Sequence, residues 1–248
     1  MNLDVGGYTD QGLQRGHNED AFSIHEPAEP AKMERSGILF AVADGMGGHL
    51  AGEVASQTAI EALLQEYTRV DSADVGLALL SAVNAANLAV YQAGLDDSMR
   101  TGMGTTLVAA VVRPGILVVA HVGDSPAFLI RNEIAKRLTQ DHSWVAQAVA
   151  HGQLNQEDAE THPYRHVLTR ALGSLPDVEV DLSDQTTIEP GDVLVLCSDG
   201  LVRHVKESEL PEVVQDKSAA DAAKALVDLA NRRGGEDNTT VIVCKVLS

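Results

Sequence analysis

The run Ile38–Ala43 is apolar without interruption and then meets an aspartate, Asp44, with glycine at 45, 47 and 48 and a histidine at 49. Such a run, too short for a typical helix, reads as a buried strand. The design recurs. Val193–Cys197 leads to Asp199 and Gly200. Ile116–Val122 leads through Gly123 to Asp124. Asp237 stands just before the apolar run Thr239–Val246, and Glu19 and Asp20 precede another apolar stretch. A single Asp-Gly pair is ordinarily a hairpin turn, Gly234-Gly235 serves equally as a helix C-cap, and Glu19-Asp20 alone would be a solvated loop. The recurrence changes that reading. Acidic residues at the mouths of several apolar strands gather at one edge of a core, where they repel one another and are costly to desolvate.

The strand runs Ile38–Ala43, Thr105–Val112, Ile116–Val122, Ala127–Arg131, Val193–Cys197 and Thr239–Val246 are rich in β-branched and apolar residues. Arg113-Pro114-Gly115 and Val122–Ser125 each predict a hairpin between their flanking runs, hence antiparallel sheet. Helical stripes run from Val54 to Tyr67, from Leu79 to Tyr91 and from Ala219 to Ala230, the last closed by Arg232, Arg233 and Gly234-Gly235. Together they predict an α+β fold with helices covering sheet faces. Residues 140–176 lack the strand pattern and are expected to form a small helical flap. Nothing in the composition breaks the 248 residues into two domains, so 1–248 is expected to be one.

Charge narrows the partners. Lys and Arg number 18 against 36 Asp and Glu, a net charge of −18, which disfavours nucleic acid and anionic membranes. The N-terminus has neither basic nor apolar signal-peptide region, and no apolar run is expected to approach the roughly 20 residues of a membrane span. Cys197 and Cys244 sit inside strand runs and read as buried cytosolic thiols. A cytoplasmic monomer is expected.

Clustered carboxylates are tolerable around a cation. Oxygen ligands without paired histidines or cysteines favour Mg²⁺ or Mn²⁺ over Zn²⁺. A glycine after the aspartate lets a backbone carbonyl turn towards the ion. Two such ions can share a water and lower its pKa, which suits attack on a phosphoester. Arg15 supplies a rigid cationic fork for a phosphate.

The ordered series Arg15-Gly-His-Asn-Glu-Asp20, Val42-Ala-Asp-Gly-Met-Gly-Gly-His49, Gly102-Met-Gly-Thr-Thr106, His121-Val-Gly-Asp-Ser125, Leu196-Cys-Ser-Asp-Gly200 and Gly234-Gly-Glu-Asp-Asn238 resembles that of the PPM family, the metal-dependent type 2C serine/threonine protein phosphatases, in its compact bacterial branch. The resemblance covers nearly the whole chain. It implies two stacked antiparallel β-sheets flanked by helices, with the flap beside the site. It implies that Asp44 bridges two metals, that the Gly45 carbonyl binds one, and that Asp199 and Asp237 serve the other. Glu19 and Asp20 would act through water, Asp124 and Asp199 would hold a third ion, and Arg15 would bind phosphate. Pro126 stands where many members carry arginine, and Met46 where eukaryotic members carry a histidine. His49 is the replacement candidate for general acid, and His162 and His166 are flap candidates for substrate contact. His121 is expected to be a hydrogen-bonded core histidine. The implied partners are phosphorylated proteins, with a Ser/Thr kinase acting in opposition. A phosphatase of small phosphoesters and an inactive module on the same fold are the alternatives.

Overall fold

The computed structural model describes every residue except 48–50, 71 and 73. Strands and helices are numbered in chain order. One five-stranded sheet runs β1 (Leu3–Asp10), β12 (Thr239–Val246), β11 (Val193–Cys197), β7 (Ala127–Arg131), β8 (Ile134–Arg137). The second runs β10 (Thr186–Thr187), β6 (Ile116–Val122), β5 (Leu107–Arg113), β3 (Ile38–Met46), β2 (Asp20–His25), with β4 (Gly104–Thr105) on β3 and β9 (Asp181–Leu182) on β6. All pairings between these strands are antiparallel.

The helices are α1 (Pro30–Ser36), α2 (Ala51–Arg69), α3 (Val75–Asp96), α4 (Trp144–Ala150), α5 (Gln156–Thr161), α6 (Asp199–Val202), α7 (Leu210–Val214) and α8 (Ala219–Arg232). The period-2 alternation of the strands sorts their side chains into layers. From β3, Leu39, Ala41 and Ala43 pack under α2 and α3, while Phe40 and Val42 point between the sheets to meet Leu194, Leu196 and Ile242. From β11, Val195 and Cys197 face away from that interlayer and pack with Leu226, Val227 and Ala230 of α8. The result is a four-layer α-β-β-α sandwich built almost wholly from aliphatic side chains.

Two expectations need correction. The segment Val122–Ser125 is not a hairpin. β6 and β7 belong to different sheets, so the chain crosses from one to the other there. The crossing carries Asp124 into the space where the sheets meet. Also, against the expectation that no apolar run approaches the length of a membrane span, α3 is by length and composition apolar enough to cross one. Its apolar residues are spread around the helix, and one face, including Leu79, Val83, Ala86 and Val90, lies fully buried against the sheet and α2. That is how a core helix of a layered domain is built. The first strand, Leu3–Asp10, carries Gly6 and Gly7 and gives no β signal, yet pairs along its whole length with β12. Gly6 is required there by packing. A Cβ would lie 2.5 Å from the backbone of Ala220 in α8.

Phe40 is fully buried between the sheets. Phe40→Ala is expected to destabilise the fold by about 3–5 kcal/mol, since few neighbours are bulky enough to fill the void. Denaturant unfolding of both proteins measures this.

Candidate metal centre

The two sheets place their carboxylates at a common end. Asp20 on β2 is the cross-strand partner of Asp44 on β3. Ser198, just past β11 in the other sheet, donates its hydroxyl to Asp20 Oδ2 at 2.7 Å and accepts the backbone N–H of Thr240 at 3.0 Å. The Ser198–Asp20 bond therefore ties the sheets together where the acids converge. Asp199 opens α6, and Asp237 lies two residues before β12.

The glycines after these aspartates are neither turn residues nor free hinges. β3 continues through Gly45 to Met46, and Gly200 lies within α6. A Cβ on Gly45 would come within 2.0 Å of the carbonyl oxygen of Gly52 in α2, and one on Gly200 within 2.1 Å of that of Asn238. Each glycine lets a second backbone segment lie directly against the aspartate-bearing one. The backbone of Asp44 is fixed as well. Its N–H donates to Thr106 Oγ1 at 3.0 Å, and its carbonyl accepts from Thr106 N–H at 2.9 Å.

The electrostatics follow from this crowding. Burial, reinforced by the charges of Asp20, Asp199, Asp124 and Asp237, holds the Asp44 carboxyl protonated well above the usual carboxylate range. Burial likewise pushes Asp20 up to about 7, against hydrogen bonds from Thr240 and Ser198 and with repulsion from Asp199 and Asp237. Asp124 is pushed up to about 7 by burial and by Asp199 and Asp141, with Arg203 opposing. Glu19 is raised by burial and by Asp237, with Arg15 opposing. Asp20, Asp44, Asp124, Asp199 and Asp237 thus share one field, and Asp141, Glu19 and Arg15 border it. Among the described residues, Asp20 Oδ1 and Asp199 Oδ1 are buried and lack a hydrogen-bond partner. An all-oxygen set with orphaned, desolvated carboxylate oxygens fits a hard divalent cation.

Arg15 lies in the loop between β1 and β2, its side chain half-exposed and its Nη2 2.8 Å from Asp237. That loop is held by Asn238, whose amide donates to the carbonyls of Gln11 at 2.9 Å and His17 at 2.8 Å while its oxygen accepts from Glu19 N–H at 2.8 Å. Asn238 spends its whole amide on placing Arg15 and Glu19. Sequence reasoning quoted this residue only as part of a motif. It missed Asp141, which pairs with Arg137, and Arg203, which pairs with both Asp199 and Asp237. The available signal for Arg203 was its place one helical turn after Asp199.

The flap is helical, as expected, with α4 and α5 and an isolated bridge between Ser143 and Leu168. His162 is engaged in the flap's own aromatic cluster. Its ring stacks on Trp144 with centroids 4.9 Å apart, and its Nδ1 accepts from Tyr164 N–H at 3.1 Å. His166 is the flap histidine that feels the site's charges. Burial lowers its pKa, Arg203 and Arg165 lower it further, and Asp199 and Asp237 oppose them. His49 lies outside the described residues.

A second cluster, His121, His142 and Asp181, brings three potential ligand atoms within 4.8 Å of one another. Hydrogen bonds and close ion pairs already engage all three side chains. Gly123 N–H donates to His142 Nδ1 at 3.1 Å, so the ring proton sits on Nε2, which lies 3.3 Å from Asp181 Oδ2. His121 Nε2 donates to the Gln140 carbonyl at 2.8 Å, and Arg170 takes the other Asp181 oxygen at 2.6 Å. His121 is the core histidine expected, and its partner His142 fastens the backbone of Gly123 beside Asp124.

A sequence profile described as protein phosphatase 2C matches residues 14–237. The chain is 37% identical over 240 residues to the serine/threonine phosphatase stp of Listeria innocua, covering 95% of this chain and 92% of that protein. The crystal structure of the Mycobacterium tuberculosis serine/threonine phosphatase PstP/Ppp is similar with a TM-score of 0.86 at 36% identity, across 99% of both chains. The catalytic domain of serine/threonine protein phosphatase PstP in complex with 2 manganese ions is similar with a TM-score of 0.85 at 36% identity, also across 99% of both chains.

In the metal-free protein the folded state keeps protons on Asp20 and Asp124 up to about pH 7, whereas an unfolded chain releases them near about pH 4. Their contribution to stability is complete below the lower value and is lost as pH rises through the upper one. The melting temperature of EDTA-treated protein is therefore expected to fall between pH 5 and pH 8 by about 2–4 °C per kcal/mol lost. Asp20→Asn should flatten that slope in the same scan.

Proposed function

This chain belongs to the protein phosphatase 2C family, and on that premise we propose that it hydrolyses phosphoserine and phosphothreonine on proteins in a metal-dependent reaction. The observation that carries the reading is the gathering of Asp20, Asp44, Asp124, Asp199 and Asp237 in one desolvated field beside Arg15. Asp44, the Gly45 carbonyl, Asp199 and Asp237 would hold two Mn²⁺ or Mg²⁺ ions, with Glu19 and Asp20 reaching them through water. Asp124 and Asp199 would hold a third. The ions supply, when bound, a water acidic enough to be deprotonated near neutral pH.

The remaining work falls to the chain itself. Arg15 presents its half-exposed guanidinium to the phosphate, and Asn238 fixes the loop that aims it. Thr106 holds Asp44 in place through the backbone. His49 is assigned the proton for the departing serine or threonine oxygen. The flap borders the substrate, with His166 facing the charges of the centre. The physiological setting in this reading is a monomeric single-domain enzyme of the cytoplasm opposing a Ser/Thr kinase. The buried free thiols Cys197 and Cys244 and the net charge of −18 support a reducing compartment and a protein substrate rather than nucleic acid.

Turnover of a phosphothreonine peptide is expected to require added Mn²⁺ or Mg²⁺ and to vanish with chelator. Full activity after exhaustive EDTA treatment contradicts the reading. Asp44→Asn should lower kcat by more than about a hundredfold, beyond the range seen when only supporting groups of a metal site are lost. Its far-ultraviolet circular dichroism should remain that of the parent. Arg15→Ala should raise KM for the peptide more than it lowers kcat, because the contact exists before the transition state. Arg165→Ala and His162→Ala should reduce kcat/KM for the peptide more than for p-nitrophenyl phosphate, which does not extend to the flap. Equal losses on the two substrates would leave the flap without a part in recognition.

A further inference from the structure

We propose that Arg203 is a built-in cation that competes with the metal for Asp199 and Asp237 and thereby weakens metal binding at this centre. The inference rests on the metal-dependent reading of the site and concerns how that site is regulated. Arg203 lies four residues after Asp199, one turn along the chain. Its Nε donates to Asp199 Oδ2 at 3.1 Å, and its Nη2 donates to the same oxygen. Its Nη1 lies 2.8 Å from Asp237 Oδ2. One guanidinium thus spans two carboxylates that come from different parts of the chain, one opening α6 and one preceding β12. Only about a quarter of the Arg203 side chain is exposed, so the pairing is poorly screened by water.

The turn that carries Arg203 is fixed against the loop that carries Asp237. Arg233 Nη1 donates to the His204 carbonyl at 2.7 Å, and the His204 ring packs so closely on Gly234 that a Cβ there would lie 2.9 Å from it. Asp237 receives a second guanidinium from Arg15. Asp199 is used asymmetrically. Both Arg203 bonds fall on Oδ2, while Oδ1 is buried and lacks a hydrogen-bond partner.

A guanidinium and a divalent ion repel one another when they share the same carboxylates. A cation held by Asp199 and Asp237 would therefore weaken or displace the Arg203 pairing. The binding-competent arrangement is then a fraction of the population, and apparent affinity falls by that fraction. The same pairing stabilises the metal-free protein by neutralising two of its crowded carboxylates.

Manganese binding to EDTA-treated protein, measured by titration calorimetry at pH 7.5, tests this with the wild type, Arg203→Gln and Arg203→Lys. The glutamine variant should bind Mn²⁺ about tenfold or more tightly, the signature of removing a competing state populated at about ten to one. It should also melt lower than wild type without metal and gain more on saturation with Mn²⁺. The lysine variant keeps the charge without the fork and should fall between the two, which covers the case of a glutamine variant that does not fold. Equal affinity across the three proteins, or weaker binding in Arg203→Gln, overturns the proposal, the latter by making Arg203 a support of the loaded site. Absence of Mn²⁺ binding in all three would instead refute the metal reading on which it rests.

Discussion

Mutual repulsion among buried carboxylates is the constraint on which the rest of this structure turns. Asp20, Asp44, Asp124, Asp199 and Asp237 reach one place from both sheets and from the crossing between them. Nothing in a fold of aliphatic side chains would choose that arrangement for its own stability, since each added charge raises the cost of ionising the next. The protein holds the carboxyls there by covalent and packing geometry. β3 delivers Asp44 near the end of a strand buried on both faces, and the absent Cβ atoms of Gly45 and Gly200 let a second backbone segment lie against Asp44 and Asp199 respectively.

Polar side chains then hold the assembly in register. Ser198 joins the two sheets through Asp20, Thr106 fixes the backbone of Asp44, and Asn238 anchors the loop of Arg15 and Glu19. Their role is visible only in three dimensions. Asn238 and Ser198 are ordinary polar residues in a sequence, and their partners lie up to 227 positions away.

The strands and helices that form the layers were legible because their periodicities are strong. β3, β5, β6, β7, β11 and β12 and the helices α2, α3 and α8 follow from apolar runs and stripes. The acidic cluster was legible too, because strand ends and Asp-Gly pairs recur together. What failed were inferences about connection. Gly123-Asp124 has the local chemistry of a hairpin turn, but the tertiary fold sends β7 to the other sheet. β1 was missed because Gly6 and Gly7 mask its pattern, the close approach of α8 having overridden propensity. The partnership of Arg203 with Asp237 joins residues whose proximity depends on α8 and the loop after it, and no local rule reports that.

The proposed cation site is built from desolvated carboxyls that hold their protons in the metal-free protein. Calorimetric titration with Mn²⁺ at pH 6.5, repeated in buffers of different ionisation enthalpy, measures the protons released per ion bound. Carboxyls held near a pKa of about 7 in Asp20 and Asp124, with Asp44 also raised by burial and by its acidic neighbours, must lose protons when a cation takes their place. Net proton release is expected at pH 6.5 and should decline as pH is raised to 8. Tight Mn²⁺ binding with no proton release at pH 6.5 would contradict it.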